Sequence, residues 1–313
     1  MYHIIINPAS RSGKGLKIWK EQVEPALHRD GISFRCHFSG KAGDVVRITE
    51  DILSSAKERP IHMIILGGDG TMNEVLQGIS DTSQVILGYI PTGSSNDFAR
   101  DLELPTDPVA ALDLILHTGK PAPMDLGTVT YEDGHRRRFC VSCGIGYDAA
   151  VCEEALHSKM KNVLNRIGLG KLTYLSIALK QLFAAKAVSG KLILDDAAPI
   201  DIGNILFTAC MLHRFEGGGF MFCPDADATD GVLNMCAVGD LSKALVLFAL
   251  PTAFKGKHYQ FRGITPYRAK KLVIESSSPL WVHTDGEVTR KSSRITVTCE
   301  QQAVRIMAPA AKP

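Results

Sequence analysis

The sequence predicts two domains: an α/β domain on a mostly parallel sheet over residues 1–122, and a β-rich domain over residues 123–313. Three observations lead there. A chain of 313 residues is long enough for about two domains at ~100–200 residues each. Short apolar runs and stretches of helical spacing take turns through the first part, the pattern of right-handed strand–helix–strand crossovers. Beyond Gly119–Pro123, where two prolines mark a break, strand-like segments follow one another with turn residues between them.

The elements follow in order. Tyr2–Ile6 is a short apolar strand, followed by a Gly/Ser loop and a helical stretch to about Arg29. Ile32–Phe38 reads as a strand. Asp44 to about Lys57 is a helix, with Val45, Val46, Ile48, Ile52 and Leu53 near helical spacing. Met63–Leu66 and Val85–Ile90 are buried strands, with helices at Thr71–Ile79 and Ser95–Leu102. In the second part, strands are expected at 124–131, 137–146, 188–195, 200–212, 232–238, 272–276, 280–283, 294–299 and 303–307. Helical stretches at about 147–165 and 171–186 interrupt them.

Composition excludes several classes. Charged residues at 22% and hydrophobic residues at 45% fit a globular chain and not wholesale disorder. The net charge of +2 is too small to point to nucleic acid, and no nucleic-acid partner is expected. The longest apolar run, Ala244–Leu250, stops at Pro251, well short of the ~18 residues of a spanning helix. Met1-Tyr2-His3 leads straight into Ile4-Ile5-Ile6 without a basic start or a cleavage site, so a cytoplasmic location is expected. The eight cysteines are widely spread. Cys140-Val-Ser-Cys143 lacks the second ligand pair of a zinc site and reads as core of a strand.

The chemistry is expected in three loops that each follow a strand. They are Asn7-Pro-Ala-Ser-Arg-Ser-Gly-Lys-Gly15, Gly67-Gly-Asp-Gly-Thr-Met-Asn-Glu74 and Pro91-Thr-Gly-Ser-Ser-Asn-Asp-Phe-Ala-Arg100. Ligands of open α/β sheets bind at the carboxyl ends of strands. Glycines admit a phosphate close to the backbone, and helix N-termini present unpaired N–H groups to it. Asp69 and Asp97 beside such a cradle make sense with Mg²⁺ between acid and phosphate. Neither G-x-x-x-x-G-K-[ST] nor G-x-G-x-x-G is present. Any one of these loops alone reads equally as a tight turn with capping residues; three at corresponding places read as a site.

The residues Gly67-Gly-Asp-Gly-Thr71, Asn73-Glu74 and Pro91-x-Gly-x-x-Asn-Asp-Phe-Ala99 resemble the catalytic domain of the diacylglycerol kinase family, to which soluble bacterial lipid kinases and the sphingosine and ceramide kinases are related. Phe215-Glu-Gly-Gly-Gly219, Pro224-Asp-Ala-Asp-Ala-Thr-Asp-Gly231 and Asp285-Gly-Glu287 continue the resemblance, so that it spans residues 7 to 287. The glycine-aspartate loop is shared with NAD kinases and phosphofructokinases, and the resemblance implies their kind of fold with the active site in the interdomain cleft.

It further implies roles. Asn7, Pro8, Ala9, Ser10, Arg11, Ser39, Gly68, Asp69, Gly70, Thr71, Met72, Asn73, Glu74 and Ser94 would surround ATP. Asp69 and Asp97 would hold the catalytic Mg²⁺ through water, and Glu287 would be the base that accepts the proton of a lipid hydroxyl. A structural Mg²⁺ would use Asp227, Asp230 and the carbonyl of Val232. Two departures stand out: Arg11 where the family usually has Gly, and Ser94 where it has Thr. On residues alone, Asp285-Gly286 reads as a hairpin turn and Asp227 with Asp230 as a solvated loop.

Two acid-free basic stretches give the chain a lipid-facing character. Between Glu154 and Asp195 lie Lys or Arg at 159, 161, 166, 171, 180, 186 and 191, with Leu172, Leu175, Leu179, Leu182 and Phe183 near helical spacing. Residues 241–274 carry Lys243, Lys255, Lys257, Arg262, Arg268, Lys270 and Lys271 beside Phe248, Phe254, Tyr259 and Phe261. Such segments lie on anionic membranes or pack leucines inward and solvate lysines. The expectation is an ATP- and Mg²⁺-dependent kinase of diacylglycerol with peripheral membrane contact, its homodimerisation left open. The rivals are a kinase of another lipid or of NAD, and a catalytically silent nucleotide-binding regulator.

Overall fold

The computed structural model describes residues 1–157, 170–186 and 188–310. The chain forms two compact units, one of Met1–Leu126 together with the chain from Gln301, the other of Gly127–Glu300. The sequence divides at 122/123; by contacts the division falls at 126/127, and the C-terminal stretch groups with the first unit. Pro121 and Pro123 do not interrupt structure: they lie in the first residues of a strand.

The first unit is a parallel sheet. Its strands are β1 (Tyr2–Ile6), β2 (Phe34–Phe38), β3 (Ile61–Gly67), β4 (Val85–Pro91) and the C-terminal end of β13 (Glu287–Ala308), ordered β13-β4-β3-β1-β2. All four pairings are parallel, as the alternation of strands and helices predicts. β1, β3 and β4 are apolar at nearly every position because helices cover both faces of a parallel sheet. Ile4, Ile6, Ile64, Leu66 and Ile90 pack with Trp19, Val23 and Leu27 and with Ala111, Leu112 and Ile115.

The helical stretch to Arg29 is divided. It runs as α1 (Ser10–Gly13), α2 (Gly15–Ile18), a π-turn (Trp19–Val23) and α3 (Glu24–Arg29). Then come α4 (Asp44–Ser55), α5 (Asp69–Gly78), α6 (Asp97–Asp101) and α7 (Pro108–Asp113).

The second unit is antiparallel. Its strands are β5 (Lys120–Tyr131, entering from the first unit), β6 (Arg136–Phe139), β7 (Ser142–Gly146), β8 (Val188–Leu194), β9 (Ile200–Met211), β10 (Leu233–Gly239), β11 (Ile264–Ala269), β12 (Lys271–Thr284) and the first part of β13. The order is β11-β10-β9-β7-β12-β13, with β8 paired to β9 and β12, and β5 to β6. Its helices are α8 (Tyr147–His157), α9 (Gly170–Ala184) and α10 (Lys243–Ala253). The helix expected to 165 is described only to His157, and Lys159, Lys161 and Arg166 lie outside the described residues. Below α10, Val246, Ala249 and Ala253 meet Phe207, Ala209, Met211, Cys236 and Val238 of β9 and β10. Cys140 and Cys143 are buried in this unit and form no disulfide.

Candidate active site

In the first unit the three loops predicted from the sequence lie side by side at the carboxyl ends of β1, β3 and β4. Hydrogen bonds tie each loop to the other two. Asn7 Nδ2 donates to Thr71 Oγ1 at 3.0 Å. The hydroxyls of Ser10 and Thr92 are 2.8 Å apart, and the Thr92 amide donates to Gly67 O at 2.8 Å. Ser39, at the end of β2, donates its amide to Ile6 O at 3.0 Å and so stands beside Asn7.

Glycine is required where the loops touch. A Cβ on Gly93 would lie 2.7 Å from Gly68 Cα, and one on Gly68 would lie 3.0 Å from Gly93 Cα. Two backbones meet there with no side chain between them, which leaves the floor of the cradle to peptide groups. Gly68 is also the N-cap of α5 and offers no side-chain cap, and Asp69 is the acid of the helix's first turn.

Asp69 and Asp97 are brought together. The Asp69 carboxylate accepts from the Tyr89 hydroxyl at 3.2 Å through Oδ1 and from the Asp97 amide at 3.0 Å through Oδ2. Tyr89 is itself fixed by burial and by an edge contact with Phe98 at 5.6 Å. Asp97 is only 3% exposed, and its Oδ1 lies 3.1 Å from the guanidinium of Arg100. Asn96, at φ 52°, closes the loop by accepting from the Gly93 amide and donating to the Gly93 carbonyl. Asn is well suited there, because its short polar side chain tolerates the left-handed backbone. The donors around this point are carboxylate and hydroxyl oxygens, which is the chemistry Mg²⁺ takes. Both Asp69 oxygens already accept a hydrogen bond, which suits contact with the ion through water.

Other predicted nucleotide residues are placed differently from one another. Met72 and Asn73 are wholly buried in α5, so any part Met72 plays is through its backbone. Glu74 accepts from the amides of Gly43 (3.0 Å) and Val45 (3.1 Å), bracing the start of α4. Ser94 is exposed at the tip of its loop. Arg11 is exposed and has φ 51°, the backbone region that favours glycine. That explains why a Gly fits this position, and it gives Arg11 the effect of shaping the loop.

In the second unit, Asp285-Gly286 is the hairpin turn its residues suggest, with φ 50° and 83° and Thr284 opposite Glu287. The turn is held far more firmly than a hairpin requires. Asp285 accepts three backbone amides, Cys140 at 3.0 Å, Val141 at 2.8 Å and Ser142 at 3.0 Å, and donates its own amide to Ser142 O. Glu287 is the first residue of β13, half-buried directly after this anchor.

Behind the turn lies a group that sequence reasoning missed. A register shift between Val282 and His283 turns His283 into the interior, where it is 0% exposed. Its Nε2 is 3.2 Å from Asp148 Oδ2 and 3.1 Å from Glu216 Oε1, and the Gly286 amide donates to its Nδ1 at 3.2 Å. Gly144 makes the space, since a Cβ there would lie 1.9 Å from Asp148 Oδ2 and 2.3 Å from His283 Nε2. The only signal in the sequence was that Glu216 and the Asp285–Glu287 turn fall in family-like motifs.

The residues of the expected structural Mg²⁺ site lie in the loop before β10 and at its edge. Asp230 pairs with Arg268 and accepts the Val232 amide at 3.0 Å, while Asp227 accepts the amide and hydroxyl of Thr229. The Arg268 guanidinium lies against the Asp230 carboxylate there.

Residues 1–129 match the diacylglycerol kinase catalytic domain, and residues 141–308 match the YegS C-terminal NAD kinase beta sandwich-like domain. The chain is 28% identical over 284 residues to a diacylglycerol kinase of Mycobacterium tuberculosis (strain ATCC 25618 / H37Rv), covering 90% of this chain and 87% of that one. It is 28% identical over 310 residues to a diacylglycerol kinase of Staphylococcus epidermidis, covering 98% and 91%. The fold is that of a Bacillus anthracis diacylglycerol kinase crystal structure (TM-score 0.74, 21% identity, 99% and 97% covered). An Archaeoglobus fulgidus NAD kinase solved with ATP shares it more distantly (TM-score 0.51, 11% identity, 98% and 93% covered). Both parts of the family's architecture are present in order, and the chain belongs to the diacylglycerol kinase family, a lipid kinase that transfers phosphate to an alcohol.

Proposed function

We propose that the chain transfers the γ-phosphoryl group of ATP, with Mg²⁺, to the free hydroxyl of diacylglycerol at a membrane surface, giving phosphatidic acid. The observation that carries the reading is the Asp69–Asp97 pair, held at the mouth of a cradle walled by Gly68 and Gly93. The acceptor rests on the names of the relatives.

Phosphoryl transfer asks the protein for positioning and charge neutralisation more than for covalent chemistry. The backbone of the three loops and the N-terminus of α5 receive the phosphates. Asp69 and Asp97 are the residues that would hold Mg²⁺, whose part when bound is to screen the charge on the transferring phosphate. Glu287 accepts the hydroxyl proton as the lipid oxygen forms its bond to the γ-phosphorus. The bond from that phosphorus to the bridging oxygen breaks, and ADP leaves.

Membrane contact has support in α10. It is apolar on all sides: Val246, Ala249 and Ala253 face the core, while Phe248 is 72% exposed and Phe254, just past its end, 50%. Phe183 of α9 is 62% exposed, and its carbonyl accepts from Lys243 of α10. Lys255 and Lys257 are exposed beside Phe254 in a stretch that has no acid. Among the described residues no helix is long and apolar enough to cross a membrane.

The test is transfer of labelled γ-phosphate from ATP to diacylglycerol, ceramide, sphingosine and phosphatidylglycerol in mixed micelles, beside NAD. Labelled phosphatidic acid is expected, with kcat lower by about 10²–10⁴-fold in Glu287→Gln and ATP binding retained. Label in another lipid corrects the acceptor, and label in NAD alone overturns the lipid reading. Unchanged kcat in Glu287→Gln removes the base.

A further inference from the structure

We propose that His283 is a positioning residue for Glu287: as the neutral tautomer with its proton on Nε2, it holds the Gly286 amide, and Asp148 and Glu216 hold it in that tautomer. The proposal rests on Glu287 acting as the base.

His283 faces two carboxylates, and all three groups are buried or nearly so. Burial raises the pKa of Asp148, and it is raised further by Glu216. Burial alone would lower that of His283; Glu216, Cys152 and Asp148 together push it well up instead. The neighbouring thiols of Cys143 and Cys210 are pushed up by burial and stay neutral.

Geometry decides which ring nitrogen of His283 carries a proton. An imidazolium carries N–H on both nitrogens, and Nδ1 would then present its N–H to the incoming N–H of Gly286 at 3.2 Å. Two donors cannot share that contact. Nδ1 therefore keeps its lone pair, and Nε2 carries the ring proton toward Asp148 Oδ2 and Glu216 Oε1. The same reasoning separates this cluster from a metal centre. One His and two carboxylates within bonding reach of each other have the composition of a zinc site. A metal on Nε2 would need the proton on Nδ1, where Gly286 already donates.

The consequence falls on the catalytic turn. Asp285 is fixed by the amides of residues 140–142, and Gly286 by His283. The residue that follows these two anchors is Glu287. Glu216 adds a tie to the loop in which Gly217, Gly218 and Gly219 all have positive φ, closed by the paired backbone bonds of Glu216 and Phe220. The cluster thus joins β7–α8, the glycine loop and the turn that bears the base.

A pair of substitutions divides the two functions of the ring. In His283→Asn the amide oxygen takes the region of Nδ1 and keeps an acceptor for Gly286. In His283→Gln the amide reaches the region of Nε2 and leaves Gly286 without one. Misplacing a reacting group by about 1 Å costs on the order of a hundredfold. The expected result is kcat lower by about a hundredfold in His283→Gln and at least about tenfold less affected in His283→Asn, with KM for ATP alike in both. A readout that needs no variant is the ¹⁵N spectrum of the histidine-labelled full chain, in which His283 Nδ1 is expected unprotonated across neutral pH. A protonated Nδ1, or equal kcat losses in the two variants, overturns the proposal while leaving the kinase reading intact. Full activity of Glu287→Gln overturns the base and this role together.

Discussion

Arg11 stands in the first phosphate-side loop with a left-handed backbone. Its φ of 51° places a Cβ-bearing residue in the left-handed region, at a cost of about 1–2 kcal/mol relative to the right-handed one. Glycine at that place would relieve the clash but add unfolded-state freedom worth about 0.5–1 kcal/mol. Arg11→Gly is therefore expected to raise stability by roughly 0.5–1 kcal/mol, read as a higher urea midpoint. A lower midpoint would mean that the arginine side chain makes up more than its backbone loses. Asp285 works the other way: its carboxylate receives three amides, and charge-assisted bonds of that kind are about twice as strong as neutral ones. On its residues Asp285-Gly286 reads as a turn, as found, while the role of base for Glu287 is what the family resemblance implies, and a base would gain from being carried on a rigid turn. His283 and Asp148 gave no sequence signal. No periodicity links residues so far apart, and an isolated buried histidine resembles any other core residue.

At the level of elements, α10 is the helix whose composition fits a watery surface least. Ala244, Phe248 and Pro251 are exposed along its outer side, and Phe254 stacks on Phe220 at 4.1 Å while remaining half open. Moving a phenylalanine from water to an apolar phase is worth about 1.5–3 kcal/mol. Phe248→Ser with Phe254→Ser is expected to weaken binding to phosphatidylglycerol vesicles by about tenfold or more, measured by cosedimentation. Equal sedimentation of the variant would place the membrane contact elsewhere. Strands and helices with a clean period were legible: β1, β3, β4, α4 and α5 lie within a few residues of where their patterns put them. Irregular ones were not. β11 was missed because Pro266 argues against a strand, yet β11 pairs only with β10, and an edge strand tolerates a proline. β12 was read as two strands because Pro279 interrupts it at a register shift between Glu275 and Leu280. α10 was not expected at all, because Pro251, which sits within the helix, read as the end of an apolar run.

For the molecule as a whole, the division of the chain is not a division of the sequence into two consecutive pieces. β13 begins in the second unit, and its end returns to the first, where Arg305 and Ile306 pair with Ile86 and Leu87 of β4. Gln302 donates its amide to buried Asp125, and Arg305 reaches the Ser83 carbonyl. Ending the chain after Glu300 would uncover β4 along one edge and remove the Gln302 amide from the Asp125 carboxylate. Such a truncation is expected to lower the melting temperature by roughly 5 °C or more and to weaken ATP binding, by calorimetry and by nucleotide titration of the shortened chain. Unchanged ATP affinity would show that the nucleotide unit closes without its last strand. The return of β13 also bears on biosynthesis. Domains usually fold from the N-terminus as the ribosome delivers about 5–20 residues per second. Here the first unit waits for its last strand until the entire second unit has emerged, so a nascent chain carries an open parallel sheet through most of translation and is, for that interval, a client for chaperones.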